Sequence, residues 1–272
     1  MSATATADLL RTILAATRRA VAVRAARLPI EALEREAARR QPGGARFAAA
    51  LRETPRPRVI AECKRRSPSR GILRADYRPA EHAAAFERAG AAAISVLTEP
   101  TFFDGEIDHL RAVRDAVRVP LLRKDFVVSR YQIVEAAAAG ADAVLLIVGA
   151  LDEETLPALV READAAGLAA LAEAHDQAEA ARAIDAGARI LGVNSRNLRT
   201  LSVDGAVHER VAAAARSRDV TLVAESGLRT VEDLTRLERA GYDAFLVGER
   251  LIVDDDPGVA LRTLREGASS CA

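Results

Sequence analysis

Val119-Pro120-Leu121-Leu122-Arg123-Lys124-Asp125-Phe126 runs from a proline through two leucines into three charged residues. A short apolar run that enters behind a proline and ends on charge has the form of a buried parallel strand delivering side chains to the mouth of a sheet. The chain holds 39 lysines and arginines, yet lysine occurs only at Lys64 and Lys124. Both stand at the polar end of an apolar run, Lys64 following Arg58-Val59-Ile60-Ala61-Glu62-Cys63. An ammonium responds to burial and can donate a proton, whereas a guanidinium stays charged. Retention of lysine at two strand ends in an otherwise arginine-using chain marks both as catalytic candidates.

The same pattern extends in both directions from this stretch. Strands are expected at 58–62, 92–97, 120–123, 142–147, 168–173, 189–193, 220–224 and 243–247. Helices are expected between and after them, at about 79–89, 106–117, 130–139, 152–166, 176–186, 204–216, 230–240 and 257–267. Strict alternation of this kind indicates parallel pairing, and eight units in this length match a closed (β/α)8 TIM barrel. Gly90, Gly140, Gly167, Gly187 and Gly241 recur just past helix ends, where a left-handed backbone closes the helix. A doubly wound open sheet has the same alternation but usually carries a glycine-rich turn after its first strand. Here that loop is Lys64-Arg65-Arg66-Ser67-Pro68-Ser69-Arg70-Gly71, without the spacing, so the barrel is preferred. Three helical stretches, 3–25, 30–40 and 45–52, precede the first strand. The expected organisation is an N-terminal helical extension over 1–57, the barrel over 58–268 and a flexible tail at 269–272.

Composition narrows the function classes. Half the residues are apolar and the charges balance at 39 against 39, which suggests neither a nucleic-acid surface nor an acidic-lipid partner. Two cysteines, Cys63 and Cys271, build neither a disulfide framework nor a metal site. No signal peptide or membrane span is evident. A cytoplasmic protein that binds neither membrane nor nucleic acid is expected, with a monomer as the default.

In a barrel of this kind the chemistry sits at the C-terminal ends of the strands. Those ends supply Glu62 and Lys64, Thr98 and Glu99, Lys124 and Asp125, Glu173 and His175, Asn194 with Ser195 and Arg196, Glu225 with Ser226 and Gly227, and Gly248 with Glu249. The chain has two asparagines, Asn194 and Asn197. An amide at a strand end suits the fixing of a carboxylate or hydroxyl, while Asn197 fits a loop turn. Carboxylates and ammonium groups gathered at one mouth form either an acid–base site or an ion-pair network closing the barrel top. Asp125 fits a bracing role. Gly227 and Gly248, after the seventh and eighth strands, stand where such barrels commonly seat phosphate on backbone N–H groups. Ser67 and Ser69 in the first loop are hydroxyl donors for the same anion or members of a plain Ser-Pro-Ser turn. His82, His109 and His208 fall in helices and are expected on the surface; His175 shares a strand face with Glu173. No histidine, cysteine or acidic cluster has metal-ligand spacing.

Six segments carry a resemblance: Ile60-Ala61-Glu62-Cys63-Lys64-Arg65-Arg66-Ser67-Pro68-Ser69, Leu97-Thr98-Glu99, Leu121-Leu122-Arg123-Lys124-Asp125-Phe126, Ala172-Glu173-Ala174-His175, Gly192-Val193-Asn194-Ser195-Arg196-Asn197-Leu198 and Glu225-Ser226-Gly227. In this order the chain resembles the indole-3-glycerol phosphate synthase family from about residue 5 to 265, helical extension included. The resemblance implies ring closure, decarboxylation and dehydration of 1-(2-carboxyphenylamino)-1-deoxy-D-ribulose 5-phosphate in tryptophan biosynthesis, without a cofactor or metal. It implies Lys124 as general acid, Glu173 as base, and Lys64 as contact for the anthranilate carboxylate and acid in the dehydration. Glu62 and Asn194 would orient these groups; Arg196, Ser226 and Glu225 would help hold the substrate, and Phe103 would line the aryl pocket. Ser67, Gly227, Gly248 and Glu249 would seat the phosphate. Cys63 stands where an aliphatic residue is common, and Arg250 where a small one is usual. Other phosphate-sugar barrels, a Schiff-base aldolase and a non-catalytic scaffold are the competing readings, and none of them requires Glu62, Lys64, Lys124 and Glu173 together.

Overall fold

The computed structural model describes residues 9–198, 200–215 and 218–269. The expectations for residues 3–8, for position 216 and for the tail at 270–272, Cys271 included, lie outside the described residues. Three helices come first: α1 (Leu9–Arg27), α2 (Ile30–Ala37) and α3 (Gly44–Glu53). The barrel begins with β1 (Val59–Cys63), and its following loop carries a two-stranded hairpin, β2 (Arg66–Ser67) and β3 (Gly71–Ile72). Then follow α4 (Pro79–Arg88), β4 (Ala93–Leu97), α5 (Pro100–Phe103), α6 (Ile107–Ala116), β5 (Leu121–Lys124), α7 (Arg130–Ala139) and β6 (Ala143–Ile147). A 3-10 turn (Val148–Ala150) leads to α8 (Thr155–Ala165), β7 (Ala169–Ala174), α9 (Gln177–Asp185), β8 (Ile190–Asn194), α10 (Ala206–Ala215) and β9 (Thr221–Glu225). The chain continues through α11 (Val231–Ala240), β10 (Ala244–Val247), α12 (Glu249–Ile252) and α13 (Pro257–Ser269).

Eight parallel strands close in the order β1-β10-β9-β8-β7-β6-β5-β4. Every one begins one residue later than its sequence pattern suggests. Asp142 and Asp243, expected as strand residues, instead turn back to accept hydrogen bonds from Leu121 N (2.8 Å) and Leu222 N (2.9 Å) of the neighbouring strand. Several strands also run further, because polar end residues keep their ladder positions: Leu97 pairs with Lys124, Ile147 with Glu173 and Asn194 with Glu225.

Period-2 alternation sorts the strand side chains into two cores. Ile60, Leu122, Leu145, Leu171, Ile190 and Leu246 face the barrel interior, while Ala61, Val96, Leu121, Leu146 and Leu191 face the helices. The interior core also takes Leu10, Ile13 and Leu14 from α1 and Phe47 and Leu51 from α3, so the extension belongs to the barrel's own core. The glycines expected at helix ends all have positive φ, from 74° at Gly167 to 111° at Gly241. Thr230 and Asp233 form a capping box on α11. No helix among the described residues is long and apolar enough to cross a membrane.

Candidate active site

A cavity of about 700 Å³ opens at the C-terminal ends of the strands, the size of a small-molecule site. The thirteen residues given a role by the family resemblance, from Glu62 to Glu249, all line it, whereas Thr98, Glu99, His175 and Ser195 at the strand ends do not. A second cavity, of about 500 Å³, lies between the α2–α3 connection and the N-terminal end of β6, lined by Arg40, Arg114 and Asp142 among others. Its buried Asp142 is consumed structurally, by Gly43 N (2.9 Å), Leu121 N, Arg46 and Arg114.

Lys124, the last residue of β5, places Nζ 2.7 Å from Glu173 Oε2 and 3.1 Å from Glu225 Oε2. Strand register supplies this geometry, since the ends of β5, β7 and β9 converge on the interior of a closed barrel. Burial alone would push Lys124 toward neutrality, but Glu173, Glu225 and Glu62 outweigh it and hold the ammonium firmly charged. Tuning of this lysine toward neutrality is therefore not what the resting site does. Burial raises the Glu173 carboxyl, yet Lys124 and His175 overcome that and hold it well below the usual carboxylate range. Glu225 goes the other way: burial, with the neighbouring Glu173 charge, lifts it to about 8 despite Lys124. Its Oε1 is buried without a hydrogen-bond partner. Around one ammonium the two carboxyls are thus pushed in opposite directions, Glu173 toward the ionised form and Glu225 toward the protonated one.

Glu173 Oε1 accepts from Asn194 Nδ2 at 3.1 Å, and Asn194 Oδ1 in turn accepts from Arg196 N at 2.9 Å. Lys64 Nζ meets Glu62 Oε2 at 2.5 Å. A Cβ on Gly248 would stand 2.1 Å from that same Glu62 oxygen, so glycine there admits the close approach of β10's end to the carboxylate. Ser226 (φ 66°) and Gly227 (φ 74°) turn consecutively through the left-handed region after β9. The Ser226 carbonyl accepts from Ser195 Oγ at 3.1 Å. Gly248 stands at the N-cap of the short helix α12. Ser67 Oγ lies 3.4 Å from Ser69 Oγ within the hairpin, and Arg70 ties that hairpin to Glu249 at 2.7 Å. The Phe103 ring faces Phe126 at 6.1 Å. Arg196 Nη1 donates to Leu201 O at 3.3 Å.

Some polar residues at strand ends serve structure. Glu99 caps α5, accepting from the backbone N–H groups of Thr101, Phe102 and Phe103. Asp125 braces the mouth, taking Thr98 Oγ1 (2.7 Å) and Arg123 Nη2 (2.8 Å). Asn197 closes its loop by accepting from Thr200 N at 3.1 Å. Cys63 is fully buried, its thiol pushed up by burial, and acts as apolar filler. Arg250 reaches Asp254 at 3.3 Å. His82 and His208, expected on the surface, are buried. His208 Nε2 lies 3.1 Å from Val193 O and 3.2 Å from Glu225 O, a backbone bridge that apolar periodicity does not announce. His109 is half-buried against Tyr77. Sequence reading missed Arg70 at the cavity rim and the buried Arg123. Arg123 stood beside Lys124 in plain view, and its burial follows from the inward-outward alternation of β5.

A closed parallel barrel with ammonium and carboxylate groups gathered around a cavity at its C-terminal mouth has the form of a (β/α)8-barrel enzyme. The chain belongs to the indole-3-glycerol phosphate synthase family, whose model matches residues 10–264. The indole-3-glycerol phosphate synthase of Parafrankia sp. is 53% identical over 212 residues, 78% of this chain and 79% of that protein. That of Streptomyces griseus is 48% identical over 257 residues, covering 94% of each. Among solved structures, thiamine phosphate pyrophosphorylase from Pyrococcus furiosus aligns at TM-score 0.60 over 78% of this chain and 96% of that one. At 18% identity that is a likeness of fold alone.

Proposed function

We propose that this mouth carries out the decarboxylating ring closure for which its family is named, with Lys124 and Glu173 as the working acid–base pair. The substrate is 1-(2-carboxyphenylamino)-1-deoxy-D-ribulose 5-phosphate and the product indole-3-glycerol phosphate, in tryptophan biosynthesis. The observation that carries this reading is one ammonium held 2.7 and 3.1 Å from two buried glutamates inside a small-molecule cavity.

The ring carbon bearing the carboxylate attacks the ketone carbon, and Lys124 gives a proton to the ketone oxygen as it becomes hydroxyl. A positioned acid contributes roughly 10² to 10⁴ in rate. The bond to CO₂ then breaks, and its electrons restore the aromatic ring. The hydroxyl leaves as water with a proton from Lys64, and Glu173 takes a proton from the adjacent carbon to complete the indole. Two protons are given and one is taken, so each turnover draws one from solvent, matching the carboxylate lost as neutral CO₂. Glu173, 2.7 Å from Lys124, returns its proton there directly. Glu62 and Asn194 orient Lys64 and Glu173, while Arg196, Ser226, Glu225 and Phe103 hold the substrate. Ser67 and the backbone of Gly227, Gly248 and Glu249 seat the phosphate, in the place such barrels use for it. We take the working form to be a cytoplasmic monomer, a reading supported by every group named lying on one chain.

The protein has no tryptophan and three tyrosines, so product indole fluorescence appears on a dark background. Emission from the parent on addition of substrate, with a loss of 10² to 10⁴ in kcat for Lys124→Ala, is the expected outcome. Silence from folded parent would remove the assignment.

A further inference from the structure

Lys124 touches two glutamates of equal burial, Glu173 and Glu225, each 1% exposed, yet the chemistry uses them differently. Their inner oxygens share the same ammonium. The difference lies at the outer oxygens. Glu225 Oε1 has no partner. Glu173 Oε1 takes the Asn194 amide at 3.1 Å and has His175 Nε2 at 3.4 Å, an ion-pair approach without hydrogen-bond geometry. The imidazole is fixed from behind, Nδ1 standing 3.0 Å from Glu179 Oε2 while the His175 backbone N–H donates to the same oxygen at 2.8 Å. Glu179 is set in the first turn of α9, where its own N–H donates to the capping Asp176 carboxylate at 2.8 Å.

We propose that His175, oriented by Glu179, is the positioning residue that selects Glu173 rather than Glu225 as the ionised partner of Lys124. A ring with a carboxylate oxygen at each nitrogen favours the doubly protonated form. Glu173 on β7 and Glu179 on α9 face the ring itself; Lys124 on β5 and Glu225 on β9 act on it through Glu173, one opposing its charge and one favouring it. Burial disfavours the imidazolium, but the two facing glutamates win and lift His175 to about 10. With a cation at each end, the Glu173 carboxylate stays charged, and the one proton available to the glutamate pair goes to Glu225. This rests on the reading of Glu173 as the base.

The test combines a charge measurement on the resting protein with a pH profile. In ¹⁵N-histidine NMR of the parent, one imidazole is expected to remain doubly protonated at pH 8, to vanish in His175→Gln and to titrate lower in Glu179→Gln. If every imidazole of the parent is neutral at pH 8, the proposal is overturned. In kinetics, His175→Gln should move the acid limb of kcat upward by ~1 to 3 pH units, the effect of removing one nearby opposite charge from a carboxylate, with KM unchanged. His175→Lys, which keeps a cation, should restore the low limb. A merely structural defect would lower the whole profile without moving the limb; that outcome, or a lysine variant no better than glutamine, overturns the selection role. Failure of the base reading is separately visible: Glu173→Gln would then turn over at the parent rate, whatever the NMR shows.

Discussion

Around Lys124 the separation of two chemically identical carboxyls is set by what reaches their outer oxygens. Glu225, raised to about 8 by burial and the Glu173 charge, is protonated near neutrality, and glutamine is a shape match for a protonated glutamate. Glu225→Gln should therefore keep kcat at pH 7 within about tenfold of the parent, whereas Glu173→Gln, which removes the proposed general base, should lose roughly 10² to 10⁴. Equal losses in a side-by-side assay would refute the division between the two. The linkage of His175 to stability has a definite sign. Its folded value lies above the ordinary 6.5, so the folded state holds the extra proton and gains stability from it. That gain is complete below pH 6.5 and is lost as pH rises through about 10. The parent's Tm should fall across this window with a slope that His175→Gln lacks, measured by thermal unfolding at fixed ionic strength.

At the level of elements, β5 does two jobs with adjacent residues. Lys124 points to the mouth, while Arg123, 1% exposed, points outward and pins the strand to its neighbours. Its guanidinium holds Asp125 and Glu135 at 2.8 Å each and donates to Thr98 Oγ1 (3.0 Å) and Gln132 O (2.7 Å), joining the ends of β4 and β5 to α7. Arg24 of α1 takes the other Glu135 oxygen at 2.8 Å. Arg123→Met would fill the space but leave Asp125 without its cation, and removal of one partner from a buried pair costs about 3–5 kcal/mol. In a barrel of this size that corresponds to a Tm loss on the order of 10 °C. A loss under about 1 kcal/mol in urea unfolding would mean the carboxylates are satisfied without it. Sequence pattern reached the alternation of strands and helices but not this network. Apolar periodicity treats every arginine as a surface cation, and only the closed barrel reveals which side of β5 is packed. The short helices α5 and α12 escaped for a related reason: four residues carry too little periodicity to read, and Glu99 at the cap of α5 looks like a site residue until its three N–H partners are in view.

For the molecule as a whole, fold and site were legible to different depths. The eight-unit rhythm, the helix-end glycines and the two isolated lysines need only local sequence, and all follow from rules of chain geometry. The distances that make the site work join residues 49 and 101 positions apart, and no local pattern encodes which of Glu173 and Glu225 is left with a bare oxygen. The role of the N-terminal extension also becomes definite only in three dimensions. Its helices serve opposite ends of the barrel. α3 closes the N-terminal end, with Phe47 and Leu51 fully buried in the interior core and Gly43 N bound to Asp142. α1 lies at the mouth: Leu10, Ile13 and Leu14 join the interior core, and Leu9 and Ile13 line the cavity at the strand ends. Each of these buried aliphatic side chains is worth about 1.5–3 kcal/mol. Deletion of residues 1–28 should thus leave a folded barrel, still plugged by α3, with a lower Tm and a wall missing from its active site. Because a misplacement of ~1 Å at the reacting groups costs up to about 10² in rate, kcat/KM should fall at least tenfold while far-UV circular dichroism keeps its α/β signature. Unchanged kcat/KM in the truncated protein would show that α1 is a lid of no catalytic consequence; loss of all structure would show instead that the three aliphatics it sends into the interior core are indispensable.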